Sequence, residues 1–386
     1  MNPLMLHEFH HGLGARFTEL NNAEVVNDYG DWLAEHAALR ETAGVIDLSF
    51  RSRICMVGAD RARFLHGQVT NDVKKLHAGE GCYAAITTAK GKMESDLNIF
   101  ALADELLLDF EPGLTEKISA RLEKFIVADD VQIVDAAPHY GLLSVQGPKA
   151  AEVINALGLF AEFPAQPLAS VKISDDALGD IYLANYPRLS GFCRSRGDET
   201  QIENQSETPH VVSYNNGFDL FVPNNSLGTV ADKLIAAAKQ TGGRACGWQA
   251  FDTARIEAGI PRFGADMDET NIPLECGIEN RAVTYTKGCY IGQEVINRIH
   301  SVGHVNRELR GLRLADALKT LPQRGDKLFH VGKEVGHVTS AVKSPVFGNI
   351  ALGYVRREAN QIGNELILRT IMGESPVKIV SLANLR

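Results

Sequence analysis

"SRICMVGADRARFLHGQVTNDV" (residues 52–73) sets an apolar run, a Gly-Ala-Asp turn and then a stretch carrying Phe64 and Leu65. The order reads as a short strand, a glycine-supported turn and a helix, with Asp60 placed to cap the helix. "YGLLSVQGPKAAEVINALGL" (residues 140–159) repeats it, "VQGPKAAEVI" echoing "MVGADRARFL" with glycine on glycine. Two copies of one strand–turn–helix unit predict two similar α+β halves.

The surrounding segments fill in each half. "CYAAITTAKGKMESDLNIFAL" (82–102) predicts two strands joined by a turn at Ala89 to Lys92, and "DELLLDF" (104–110) adds a third. Ile118, Leu122, Phe125 and Ile126 recur at helical spacing, so an amphipathic helix is expected from near Thr115. In the second half a strand is expected at 181–186, an exposed polar loop at 193–210 and a strand at 215–223. A helix follows over 226–243, with Ser226 as cap and glycine as stop, and another over 247–259. Beyond about residue 305 the chain breaks into short apolar runs cut by glycine and proline ("LRGLRL", "KLFH", "KEVGHVTSAV", "IALGYV", "ELIL", "VKIV"), a spacing that suits a small antiparallel barrel. The expected class is therefore α+β: residues 1–140 with part of 250–304 form the first half, 141–250 the second, and 305–386 a C-terminal β-barrel domain.

A chain of 386 residues can bury a large core without staples, and two or three interlocked parts are expected. Hydrophobic residues make up 45% and charged residues 23%, with 35 glycines and 2 tryptophans, a globular composition with no disorder at scale. The formal charge of −9 argues against a broad grip on nucleic acid or an anionic membrane, so any anion site is local. The N-terminus lacks a basic flank followed by an apolar core, and no long apolar run occurs, so a cytoplasmic protein is expected. Six cysteines (55, 82, 193, 246, 276, 289) form no C-x-x-C pair, which fits reduced thiols.

Phosphate-loop, dinucleotide, serine-hydrolase and zinc-protease signatures are missing. His7, His10 and His11 could share a helix face and hold a metal, although a solvated terminal cluster is the commoner arrangement. Between Arg281 and Arg313 six cations (Arg281, Lys287, Arg298, Arg307, Arg310, Arg313) meet two acids (Glu294, Glu308), a local reversal of the chain's balance that could receive a small polyanion. Asp96 and Asp219 each alternate with apolar neighbours on expected strands, and a carboxylate turned inward needs a partner. That partner could be an arginine or the amino-pyrimidine edge of a pterin. "TYTKGCYIGQEVINR" (284–298) leaves Cys289 open as nucleophile, metal ligand or small residue in a tight turn.

"KGCYIGQE" (287–294), followed by Arg298, resembles the hallmark of the YgfZ proteins, the folate-binding factors of iron–sulfur protein maturation. The rest is similar to the wider superfamily of the glycine-cleavage T-protein, an aminomethyltransferase: "GKMESDL" (91–97), "GFDLFVP" (217–223), "ARIEAGIPRFGADMDETNIPLECGI" (254–278) and "GHVTSAVKSPVFGNIALGYV" (336–355). The resemblance implies a three-domain cloverleaf around a channel that takes the pterin of tetrahydrofolate and leaves its glutamate tail at the mouth. It implies that Asp219 binds the pterin edge, that Asp96 lies near the reactive N5, that Arg255 lies near the folate, and that the basic segment receives the tail. Lys287, Gln293, Glu294 and Arg298 join the folate-site residues on the same ground. Where transferases carry Asp-Asp-Leu this chain has Ser95-Asp96-Leu97, and their Gly-Tyr-Thr-Gly-Glu stretch is not recognisable before "NNGFDL".

The function expected from this resemblance is a tetrahydrofolate-binding protein that supports iron–sulfur cluster assembly or repair in client enzymes. Cys289 is then the working thiol, favoured as thiolate by Lys287 or Arg298. One cysteine cannot hold a stable cluster, so no resident metal is expected. The alternative is a tetrahydrofolate-dependent aminomethyltransferase or demethylase in which Asp96 steers the folate nitrogen.

Overall fold

The repeated unit that opens each half does fold twice in the same way. A computed structural model describes residues 1–190, 216–382 and 385; the polar stretch 193–210 lies outside the described residues. Strand Ser52–Val57 leads through Gly58 into helix Arg61–Gln68, and strand Tyr140–Gln146 leads through Gly147 into helix Ala150–Asn155. Both glycines are obligatory on two counts. Their φ angles are +108° and +127°, and an added Cβ would stand 2.1 Å from the carbonyl oxygen of Asp130 and 2.6 Å from that of Thr42.

The expected caps differ in detail. Asp60 stands at the helix start, but its carboxylate accepts from the Asp130 N–H at 3.0 Å and from Arg63 Nε at 3.2 Å, tying the helix to the neighbouring loop. Ser226 precedes helix Leu227–Gln240 and donates instead to the carbonyls of Leu178 and Pro223. Helix Thr115–Glu123 closes before Phe125 and Ile126, so Phe125 lies exposed just past its end.

The first half is a five-stranded sheet, in the order Gly81–Thr87, Met93–Ala101, Glu105–Phe110, Ser52–Val57, Gln132–Asp135. The second is six-stranded: Ser170–Asp175, Gly179–Asn185, Gly217–Pro223, Tyr140–Gln146, Gly44–Asp47, Arg244–Ala245. Gly44–Asp47, which the sequence places with the first half, pairs with Tyr140–Gln146 in the second sheet. The halves are thus laced together by the chain. Phe100 from one sheet and Phe221 from the other meet edge to face at 5.2 Å in a core cluster that also takes in Leu352 and Tyr354 of the barrel.

The C-terminal part is a closed barrel of six antiparallel strands from Arg307–Leu314 to Gly373–Val380. Its inward positions (Leu312, Leu328, Val338, Ala351, Leu368, Ile379) form a core of their own. A bulge between Val338 and Ser340 turns Thr339 and Ser340 onto one carboxylate, that of Asp266, at 2.5 and 2.7 Å. Arg255, on helix Trp248–Glu257, bonds both Asp266 and Ser340, so a buried polar clamp seats the barrel on that helix. No described helix is long and apolar enough to cross a membrane.

Candidate active site

A cavity of about 330 Å³ opens between the two halves. Strands of the first sheet give it Tyr83, Asp96 and Asn98; the second half gives Leu168, Tyr186 and Arg188; the segment 248–281 closes it with Trp248, Phe251, Arg262 and Arg281. Among the described residues no barrel residue lines it, so the barrel acts by holding helix Trp248–Glu257 from behind.

The hairpin register places the acid. Tyr83 pairs with Asn98 and Ala85 with Asp96, which sets Tyr83 diagonal to Asp96 on one face. The Tyr83 hydroxyl donates to Asp96 Oδ2 at 2.7 Å, and no other side-chain bond to this carboxylate is found among the described residues. Burial, and after it the nearby charge of Glu111, pushes the Asp96 carboxyl up to about 6, against the opposing pull of the Tyr83 bond and Arg51.

Behind Asp96 runs an unbroken ladder of alternating charge. Asp219 Oδ2 takes Arg188 at 2.6 Å; Arg188 reaches Asp109 at 3.1 Å; Arg51 bonds Asp109 and Glu111, each at 2.8 Å; Arg262 closes on Glu111 at 2.8 Å. Three arginines balance three acids. Burial resists ionisation of Asp109, but Arg51 and Arg188 outweigh it and hold that carboxyl at about 2. Flat faces complete the walls, with the Arg262 guanidinium 5.2 Å over Trp248 and that of Arg281 4.9 Å over Tyr83.

The residues singled out from sequence fall into separate groups. Asp96 and Arg255 reach the cavity wall. Arg255, however, commits its guanidinium to Asp252, Asp266, Ser340 and the Ile260 carbonyl, so it is a clamp. Asp219 is fully buried, is not among the lining residues and already holds Arg188, whose fork fills the place expected for a pterin edge. Lys287 is 7% exposed and gives its three protons to the carbonyls of His66, Val69 and Asn71, at 2.6 to 2.8 Å, at the end of helix Arg61–Gln68. Its ammonium is thereby committed to these backbone carbonyls. Gln293, Glu294 and Arg298 sit on helix Gln293–Ser301 away from the cavity, and Cys289 is exposed outside it.

The "KGCYIGQE" stretch thus has a structural role beside any chemical one. Lys287 caps a helix, and Gly292, at φ +90°, lets the chain pass where a Cβ would stand 2.6 Å from Thr87 Oγ1. In the rest of the basic segment Arg307 meets Thr270 and Glu275, Arg310 meets Glu308 and Asn360, and Arg313 reaches the Leu385 carbonyl. Only Arg281 of that segment lines the cavity. The terminal histidines divide: His10 is buried between Asp47 at 2.9 Å and the Tyr29 hydroxyl at 2.8 Å, while His7 turns to Glu24.

Sequence reasoning missed Tyr83, Asn98, Glu111, Arg51, Arg188 and Arg262. Tyr83 and Asn98 carried a usable signal, since the alternation that aims Asp96 inward aims them to the same face once the hairpin turn fixes the register. Arg188 carried none.

Known proteins share this architecture. The family profile described as "GCVT N-terminal domain" matches residues 6–177 and 208–287, and "Glycine cleavage T-protein C-terminal barrel domain" matches residues 307–383. The chain is 29% identical over 363 residues to an aminomethyltransferase of Corynebacterium jeikeium, covering 93% of this chain and 90% of that one. It is 28% identical over 367 residues to an aminomethyltransferase of Halalkalibacterium halodurans, covering 92% and 93%. Among solved structures, the glycine cleavage system aminomethyltransferase T of Bartonella henselae superposes with a TM-score of 0.84 at 23% identity over 99% of this chain and 97% of that one, a likeness of fold. With both profiles matched in sequence order, and both halves and the barrel in place, the chain belongs to the glycine cleavage T-protein family.

Proposed function

We propose that the chain transfers an aminomethyl or related one-carbon unit to tetrahydrofolate in the cavity between its halves. One observation carries this reading: a carboxyl pushed up to about 6 on the wall of a cavity with flat aromatic faces. The named relatives, aminomethyltransferases over nine-tenths of the chain, support it.

The residues present fit such a ligand. Asn98 Oδ1 is buried on a lining residue without a hydrogen-bond partner among the described residues, an acceptor available to a polar heterocycle. Trp248, Phe251, Tyr83 and Tyr186 offer faces for a flat ring. Bound tetrahydrofolate would supply a nucleophilic ring nitrogen that accepts the one-carbon unit. Asp96 is the group placed to take the proton released there, being mostly ionised at neutral pH and still more basic than an ordinary aspartate. Tyr83 holds Oδ2, and among the described residues no side chain donates to Oδ1. The neutral charge ladder behind them keeps Arg51 and Glu111 fixed while the proton moves.

The test is turnover with tetrahydrofolate and either a lipoyl-carrier aminomethyl donor or N-methylated amines, followed across pH. Activity should fall on the acid side with an apparent pKa near 6, as Asp96 takes up its proton and ceases to be a base. Absence of turnover with every donor from pH 5 to 9 refutes the reading.

Iron–sulfur maturation keeps one observation in its favour, the exposed thiol of Cys289. The two readings part at Cys289→Ala. If the chain is the transferase, turnover and the urea midpoint stay within error of the parent, because Cys289 lies outside the cavity. If its work is maturation, the same replacement in the host lowers the activities of iron–sulfur enzymes.

A further inference from the structure

Five arginines line the cavity: Arg51, Arg188, Arg255, Arg262 and Arg281. Four of them are neutralised in place, Arg51 by Asp109 and Glu111, Arg188 by Asp109 and Asp219, Arg255 by Asp252 and Asp266, and Arg262 by Glu111. Arg281 is the exception. No carboxylate stands within ion-pair distance of it among the described residues, and its Nε is buried without a partner. Its guanidinium lies 4.9 Å over the ring of Tyr83, whose hydroxyl is the one that holds Asp96. The backbone beneath it is pinned, because the Arg281 carbonyl accepts from Asn71 Nδ2 at 2.9 Å. An uncompensated cation with a buried donor, fixed on an aromatic face in a cavity where every other cation is paired, is an anion receptor.

We propose that Arg281 sets the specificity of the cavity by binding a carboxylate of the ligand, and that the ring of Tyr83 fixes the distance between that carboxylate and Asp96. This rests on the one-carbon-transfer reading for the identity of the ligand. The receptor chemistry follows from the charge pattern alone. Two molecules can bring the carboxylate: the glutamate tail of the folate, or a small amino-acid donor such as N-methylglycine. Arg281 acts by recognition and positioning, while the proton transfer stays with Asp96.

The experiment compares the full-length protein with Arg281→Met and Arg281→Lys. Calorimetric titrations use tetrahydrofolate, 6-methyltetrahydropterin (which carries no carboxylate) and 4-aminobenzoylglutamate, and kinetics use N-methylglycine as donor. If the tail is the ligand, Arg281→Met weakens tetrahydrofolate and 4-aminobenzoylglutamate roughly ten- to a hundredfold, leaves 6-methyltetrahydropterin unchanged, and is partly rescued by lysine. If the donor is the ligand, folate affinity holds while KM for N-methylglycine rises by a similar factor at unchanged kcat. Parental affinity for every probe in Arg281→Met, or equal weakening of tetrahydrofolate and 6-methyltetrahydropterin, overturns the proposal. Failure of the parent protein to bind either pterin removes the proposed function. Arg281 is then judged on 4-aminobenzoylglutamate and N-methylglycine: binding that Arg281→Met loses sustains the receptor, and no binding by the parent ends it.

Discussion

Asp96→Asn will lower one-carbon transfer by about two to four orders of magnitude and, at pH 8, make the fold harder to unfold. The first effect follows from removing the one wall carboxyl poised near neutrality. The second follows from linkage. The Asp96 carboxyl is raised in the folded protein to about 6 from an ordinary value of 3.8, so the folded state binds this proton more tightly than the unfolded chain does. Its contribution is therefore neutral below about pH 4, becomes unfavourable as pH rises from 4 to 6, and stays so above. Asparagine does not titrate and removes that cost, on the order of 1–3 kcal/mol at pH 8 and close to nothing at pH 4. Urea unfolding of both proteins at the two pH values measures it. Equal midpoints at pH 8 would mean that Asp96 is not raised, and the assignment of its role would lose its support.

The pairing of lost activity with gained stability separates this residue from the structural carboxylates around it. Asp109, Glu111 and Asp266 are held below the ordinary range, because neighbouring arginines outweigh the cost of burying them. Removing any of those takes a carboxylate away from at least one buried guanidinium. Burial raises Asp219 as well, but Asp219 holds Arg188, so only a raised carboxyl with no guanidinium bound to it can be replaced with a gain.

What the sequence could show and what it could not divides along the range of the interactions. The glycine of each strand–turn–helix unit was legible because its cause is local: a positive φ beside a neighbouring carbonyl, at Gly58 as at Gly147. The barrel was legible from alternation and spacing, and Asp96 from its place on a hairpin strand. The partners of the buried charges were not. Lys287 reads as a free cation in a basic segment, yet its acceptors belong to residues 66 to 71, more than two hundred positions away. Asp219 sits in an alternating pattern that suits a pterin ligand as well as an ion pair, and Arg188, which it pairs with in the fold, lies in a stretch with no motif. Charge composition counts such groups but does not pair them. Arg281 emerges as a receptor only by subtraction, once the other cavity arginines are seen to be neutralised.

Arg188→Met should be the most destabilising single change in the cavity wall, at about 3–5 kcal/mol, since it takes a guanidinium from two buried acids at once and strands one of them. Both Asp109 and Asp219 are fully buried, and Arg188 reaches each of them, at 3.1 and 2.6 Å. Asp109 keeps Arg51 and Asn98, while Asp219 loses its only guanidinium. The remedy distinguishes this account from a general packing defect. Arg188→Met combined with Asp219→Leu removes the stranded acid along with its partner, and should recover more than half of the loss, as buried ion pairs replaced by apolar residues of similar volume commonly do. Asp219→Leu alone should cost less than Arg188→Met, because the arginine it frees still has Asp109. If Asp219 instead served a pterin directly, Asp219→Leu would abolish tetrahydrofolate binding in a protein of near-parental stability. The ion-pair geometry predicts the reverse, a large shift in the urea midpoint with folate affinity in the surviving folded protein reduced less than tenfold.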